Sequence, residues 1–180
     1  MLTNNFYYAI SDELCSTLNL ISNMKSTLGN EATAPSGTST YYQVYPFGHG
    51  GTYSLSPTLS QDASNPSVTG GFAAGLLIGS GDTAPTADDY RLENQITTGF
   101  SATASFPNNA TDISQSRRVV ATATITNTSD ADIVVREIGY VRAATSKWVI
   151  LYDRIVLDSP VTIAPGATKT FEYHLNMPTP

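Results

Sequence analysis

Two stretches of this chain place an apolar residue at every second position. Phe100, Ala102, Ala104 and Phe106 form one series, and Val119, Ala121, Ala123 and Ile125 form another beyond a polar loop from Pro107 to Ser116. A period of two suits a pleated strand with one buried face and leaves a helix with no coherent apolar side. Ile133 to Val141, Trp148 to Leu157, Val161 to Ile163 and Lys169 to Leu175 read as further strands. Turns fall between them at Asn127-Thr128-Ser129-Asp130 and Ala164-Pro165-Gly166-Ala167. In the Trp148 segment, Trp148, Ile150 and Tyr152 share one face and Val149 and Leu151 the other, so that strand is expected to be covered on both sides. About seven or eight such strands from Ala73 onward predict an all-β fold, an antiparallel β-sandwich that is jelly-roll-like or immunoglobulin-like. Its expected core comprises Ile78, Leu92, Ile125, Ile138, Trp148, Ile150 and Phe171.

The beginning of the chain has a different period. Phe6, Ile10, Leu14, Leu18 and Ile21 are spaced as on one helix face, with Asn5 as N-cap and Gly29-Asn30 as the stop, which predicts an amphipathic helix from Phe6 to Leu28. It either packs on its own domain or docks on a neighbouring subunit. A polar stretch from Glu31 to Thr40 reads as a linker, so residues 1–40 are expected to form a helical anchor outside the sandwich, which spans 73–180. Between them, 41–72 carries Tyr41, Tyr42, Tyr45, Phe47 and Tyr53 around glycines and His49, followed by a Ser/Pro-rich run. These rings suit a contact surface, and equally the core of short strands.

The segment from Leu76 to Ile96 joins an apolar strand to a re-entry through Tyr90, Leu92 and Ile96. Gly79, Gly81 and Ala84-Pro85 shape the intervening loop. Asp82, Asp88 and Asp89 on that loop are candidate interaction residues. Their carboxylates are hard oxygen donors of the kind that hold Ca²⁺, although the spacing is not that of an EF-hand, and turn aspartates more often cap backbone amides.

This segment, with Arg136-Glu137-Ile138-Gly139-Tyr140, Leu151-Tyr152-Asp153-Arg154, the Ala164-Pro165-Gly166 turn and the terminal strand, resembles small structural proteins of tailed bacteriophages. The resemblance spans Ala73 to Leu175. It implies a non-enzymatic virion protein made in the host cytoplasm, a capsid decoration or cement protein or a minor head protein. Its partners would be major capsid or tail proteins and copies of itself, in a homo-oligomer that phage decoration and fibre proteins suggest is a trimer. The alternatives are a tail fibre or adaptor protein, or a carbohydrate-binding module for the host surface that stacks sugars on the aromatic set and Trp148.

Charge and chemistry bound these readings. With 9 basic and 15 acidic residues the net charge is −6, and no basic run exceeds Arg117-Arg118, which argues against a nucleic-acid groove. No apolar run approaches the ~20 residues of a membrane span. Cys15 stands alone, His49 and His174 lack metal-ligand spacing, and no Gly-x-Ser-x-Gly elbow occurs, so no catalytic residue or cofactor is expected. Glu93, Glu137, Asp153 and Asp158 are the carboxylates in or beside strands. Arg136 and Arg154 beside them predict ion pairs across a sheet rather than an acid/base pair.

Overall fold

The computed structural model describes residues 1–5, 25–30, 54–55, 72–105, 118–144 and 148–176. Its regular elements are strands: β1 (Ser54–Leu55), β2 (Phe72–Gly79), β3 (Phe100–Ser105), β4 (Arg118–Asn127), β5 (Ile133–Ala144), β6 (Trp148–Ile163) and β7 (Thr168–Asn176). They form two sheets, ordered β1-β2-β5-β6 and β3-β4-β7, in which every pairing except the short parallel β1-β2 contact is antiparallel. Where two strands were expected at 148–157 and 161–163, a single β6 runs through, and the irregularity between Val156 and Val161 absorbs Ser159 and Pro160.

The two sheets share one apolar cluster. Leu76 and Ile78 (β2), Ile138 and Tyr140 (β5) and Ile150 and Tyr152 (β6) face Ala123 and Ile125 (β4) and Phe171 and Tyr173 (β7). Ile78, Ile125, Ile138, Ile150 and Phe171 are thus in the core as expected; the side chain of Trp148 lies outside the described residues. Tyr140 and Tyr173 stack across the cluster with ring centroids 5.8 Å apart. The Tyr173 hydroxyl donates to Asp153 of β6, a polar link between the sheets.

The alternation of Leu77 against Leu76 and Ile78 has a second consequence. Leu77, Val141, Val149 and Leu151 emerge on the outer face of the larger sheet and bury with Leu92 in a separate cluster. Leu92 therefore covers the sheet from outside instead of joining the core between the sheets. It fits because residue 139 is glycine: a Cβ there would lie 2.7 Å from Leu92 Cδ2 and 3.0 Å from Leu151 Cδ1.

The C-terminal end of the predicted helix departs from expectation. Lys25 to Asn30 form a bridge and turn, not a last helical turn, and residues 6–24 lie outside the described residues. Asn5 does not cap. Its Oδ1 accepts from the Lys25 amide at 2.8 Å while its Nδ2 donates to the Lys25 and Leu151 carbonyls. Thr3 N donates to Tyr152 O at 2.9 Å, Thr27 N to Val149 O at 2.8 Å and Arg154 N to Met1 O at 3.2 Å, so both described pieces run along the outer edge of β6. An unpaired edge strand would leave its backbone groups open, and satisfying them outweighs the helical periodicity at 25–28. Leu2 packs on the core between the sheets, so the first residues touch the domain.

Candidate functional site

The loop from Ser80 to Gln95 is the most highly organised irregular segment. Its base closes like a hairpin: Ser80 N donates to Asn94 O at 2.9 Å and Ile96 N to Ile78 O at 2.9 Å, and Gly79 bridges Gln95. Two residues of the sheet hold the rest. Glu137 on β5 is 0% exposed and uses both oxygens: Oε1 accepts from Gly81 N (3.1 Å) and Asn94 N (2.8 Å), and Oε2 from Glu93 N (3.1 Å) and Arg154 Nε (2.8 Å). Arg154 on β6, 2% exposed, continues outward to Asp89 Oδ2 at 2.9 Å and approaches Glu93 Oε2 at 3.5 Å. The register places Gly139 opposite Arg154, and the space above that glycine is filled by Leu92 and Leu151.

Glu93 and Asp89 are likewise turned onto the backbone. Glu93 Oε2 accepts from the amides of Asp82 (2.9 Å) and Thr83 (3.0 Å) and from the Thr83 hydroxyl (2.9 Å). Those bonds, led by the Thr83 amide, hold its carboxyl below the usual carboxylate range. Burial pushes Asp89 up, but the Arg154 hydrogen bond and the amide and hydroxyl of Thr86 outweigh it and keep Asp89 ionised to lower pH than usual. Asp89 is thus a capping aspartate for Thr86, bonded to its amide at 3.1 Å and its hydroxyl at 2.8 Å.

The three candidate aspartates go to different partners. Asp89 meets Arg154, Asp88 accepts from Asn4 Nδ2 at 2.9 Å, and Asp82 is exposed with Arg136 at 4.0 Å. Among the described residues, no three His, Cys, Asp or Glu side chains gather as a metal site. Tyr41, Tyr42, Tyr45, Phe47 and Tyr53 lie outside the described residues. His174 sits on β7 beside Glu172, at 3.3 Å, on the other sheet from the Arg154 network. Asn127 is 1% exposed, with Nδ2 donating to the Ala131 and Ile163 carbonyls and Oδ1 accepting from Ser129, so it holds the turn expected at 127–130.

The ion pairs expected across the sheet are present in altered form. Glu137 pairs with Arg154, its neighbour on the adjacent strand, rather than with Arg136, and Asp153 faces the opposite side, where its Oδ1 lies 2.8 Å from the Met1 nitrogen. Sequence reasoning missed Glu137 and Arg154 as the organisers of the loop, and missed Asn4, Lys25 and Tyr90, which fasten the N-terminal pieces to it. Asn4 N donates to Ala87 O at 2.8 Å, and Lys25 Nζ lies 5.9 Å from the centroid of the Tyr90 ring. The available signal was two adjacent charged pairs, Arg136-Glu137 and Asp153-Arg154, the second on the strand expected to be covered on both sides.

Chemically, the arrangement yields a loop whose shape is set before any partner arrives. The carboxylates of Glu93 and Asp89 are engaged with the loop's own amides and with Arg154, while the Asp82-Thr83-Ala84 apex, Thr86 and Asp88 are exposed. No helix among the described residues is long and apolar enough to cross a membrane. No protein family, curated protein or solved structure matches the chain.

Proposed function

We propose that the chain is a non-enzymatic structural protein of a tailed-phage particle, a capsid decoration, cement or minor head protein that works by presenting a shaped surface to other virion proteins. In this reading the two sheets form a jelly-roll-like or immunoglobulin-like sandwich, and the amphipathic stretch at 6–24 is its helical appendage. The observation that carries the reading is the use made of buried charge. Glu137 and Arg154, the two groups whose burial would suit tuned acid/base chemistry, are spent on three loop amides and two further carboxylates. A catalytic carboxylate needs an open side toward its substrate. Glu137 instead fixes a rigid contact loop, and a preorganised loop binds with less ordering entropy to lose.

Protein mass spectrometry on gradient-purified particles tests this directly, followed by a density map that locates the chain. Recovery in stoichiometric amounts with the head is the expected result. Recovery only in the soluble lysate fraction would exclude a structural role, and location at the tail tip would favour receptor binding.

A further inference from the structure

The two sheets differ in what lies on their outer faces. The larger sheet carries the 80–95 loop and Leu92, whereas one end of the outer face of β3-β4-β7, before Glu172 and His174, presents hydroxyls that are exposed on β3 and β7. The register aligns them in rows: Ser101, Thr126 and Thr168 in one, and Thr103, Thr124 and Thr170 in the next. Their inward neighbours Ala123, Ile125 and Phe171 fill the core, so these six side chains point outward, exposed on β3 and β7 and half-buried on the central β4. Neither row contains a charge, although the chain carries 24 charged side chains by summing 9 Lys and Arg with 15 Asp and Glu. The next row along β7 brings Glu172.

We propose that this hydroxyl face is where a second copy of the chain docks, face to face about a two-fold axis. This deepens the structural reading above by assigning a self-contact to a particular surface. A two-fold interface must be complementary to itself. Carboxylates cannot satisfy that, nor can ammonium groups, because like charges would be opposed. A hydroxyl can, being donor and acceptor at once. Within one copy, Thr124 and Thr170 pair at 3.0 Å and Thr126 and Thr168 at 2.9 Å. Each pair consumes one hydroxyl hydrogen and leaves the other, with free lone pairs, for a group across the interface. With the chain at net −6, copies approaching through acidic surface repel, whereas these rows let them meet without opposed charge.

The area sets the strength. Strand spacing of ~4.8 Å and a two-residue repeat of ~6.8 Å give the described grid a footprint of roughly 300 Å² per copy, side-chain margins included. That is well below the ~800 Å² per partner of a stable complex, so isolated copies should associate weakly. On a particle, where neighbours are held at an effective concentration in the millimolar range, the same contact is populated.

Sedimentation equilibrium from about 0.05 to about 1 mM, the range relevant to tethered modules, tests the proposal on the full chain. The weight-average mass should rise with concentration, and Thr124→Lys and Thr124→Glu should each weaken association at least tenfold while keeping the circular dichroism spectrum and melting temperature. An equimolar mixture of the two variants should recover it, because opposite charges then meet across the axis. A wild-type chain that stays monomeric over this range overturns the proposal, as do variants that associate unchanged or a mixture that fails to recover. Such a result would leave the structural reading standing if the chain is still found in particles.

Discussion

Replacing Glu137 by Gln keeps size and shape while changing one oxygen into a donor, which isolates what the carboxylate does for the 80–95 loop. With the amide oxygen retained at Oε1, the Gly81 and Asn94 amides keep their acceptor. The new NH₂ then faces two donors, Glu93 N and Arg154 Nε, which the carboxylate had satisfied at 3.1 Å and 2.8 Å. Flipping the amide only exchanges which pair is orphaned. Each buried donor left unmet costs about 1–3 kcal/mol. Arg154 also loses its fully buried counter-charge, though Asp89 and Glu93 remain beside it, which limits the further loss to the lower end of what breaking a buried pair costs. Counting Arg154 once, as the broken pair at about 3 kcal/mol, and the Glu93 amide at about 1–3 kcal/mol gives a destabilisation of about 4–6 kcal/mol for an isosteric change. Urea unfolding gives the total, and hydrogen exchange at Gly81, Glu93 and Asn94 shows where it arises, since those amides should lose protection before the strands do. A loss under about 1 kcal/mol, with exchange at the three amides unchanged, would refute the argument that this carboxylate organises the loop.

Other perturbations probe neighbouring links. Gly81→Ala would place a Cβ 2.5 Å from Glu93 Cβ and 2.6 Å from its Oε2, so it should destabilise by about 1–3 kcal/mol as overpacking does, and a neutral melt would show that the loop yields. Gly139→Ala meets Leu92 Cδ2 at 2.7 Å, and pairing it with Leu92→Ala should cost less than the two single changes added, as a double-mutant cycle in urea would show. Tyr173 is raised from its usual value by burial first and then by the Asp153 carboxylate. A raised value means its stabilisation is whole below the unfolded tyrosine value near 10 and declines at roughly 1.4 kcal/mol per pH unit above it. Tyr173→Phe should remove that alkaline slope and cost about 1–3 kcal/mol at neutral pH, because Asp153 loses a donor; an unchanged slope would place the ionising group elsewhere. Asp89 and Glu93 are lowered, so their stabilisation is present above the usual carboxylate range and is lost as pH falls through it; Arg154→Met should flatten this acid limb in thermal melts.

Removing residues 1–30 bears on where the domain begins. The deletion strips Thr3, Thr27 and Met1 from their bonds to β6 and takes Leu2 from the core, so it should lower stability by about 3–6 kcal/mol at about 1 kcal/mol per hydrogen bond plus the lost apolar burial. An unchanged urea midpoint would instead support the expectation that this segment is a detachable anchor.

The strands were legible in the sequence because their signal is local. Alternation at Ala121, Ala123 and Ile125 or at Phe171 and Tyr173 reports one buried face whatever the rest of the chain does, and those side chains are in the core. Two-sided apolarity was legible too: Val149 and Leu151 against Ile150 and Tyr152 required a second cover for β6. What supplied that cover was not, because Leu92 lies about sixty positions away and nothing in its own neighbourhood distinguishes an outer-face residue from a core one. The same distance hides the site. Asp89 and Arg154 are 65 residues apart, and Gly81 and Glu137 are 56 apart, so the carboxylates of the loop read locally as solvated turn residues or calcium donors until the sheet brings the arginine beneath them.

The helix reading failed at 25–28 for a related reason. Periodicity scores a segment against water, whereas Lys25 and Thr27 are placed by an edge of β6 that needs hydrogen bonds and by an asparagine twenty positions earlier. Glycine is the exception through which long-range packing does mark the sequence. Gly79, Gly81 and Gly139 sit where a Cβ would meet Glu137, Glu93 or Leu92 within 2.7 Å, so the route of the loop over the sheet is recorded in the side chains that are missing beneath it. Substituting those three positions one at a time therefore maps the contact surface of the loop without touching a residue that makes a hydrogen bond through its side chain.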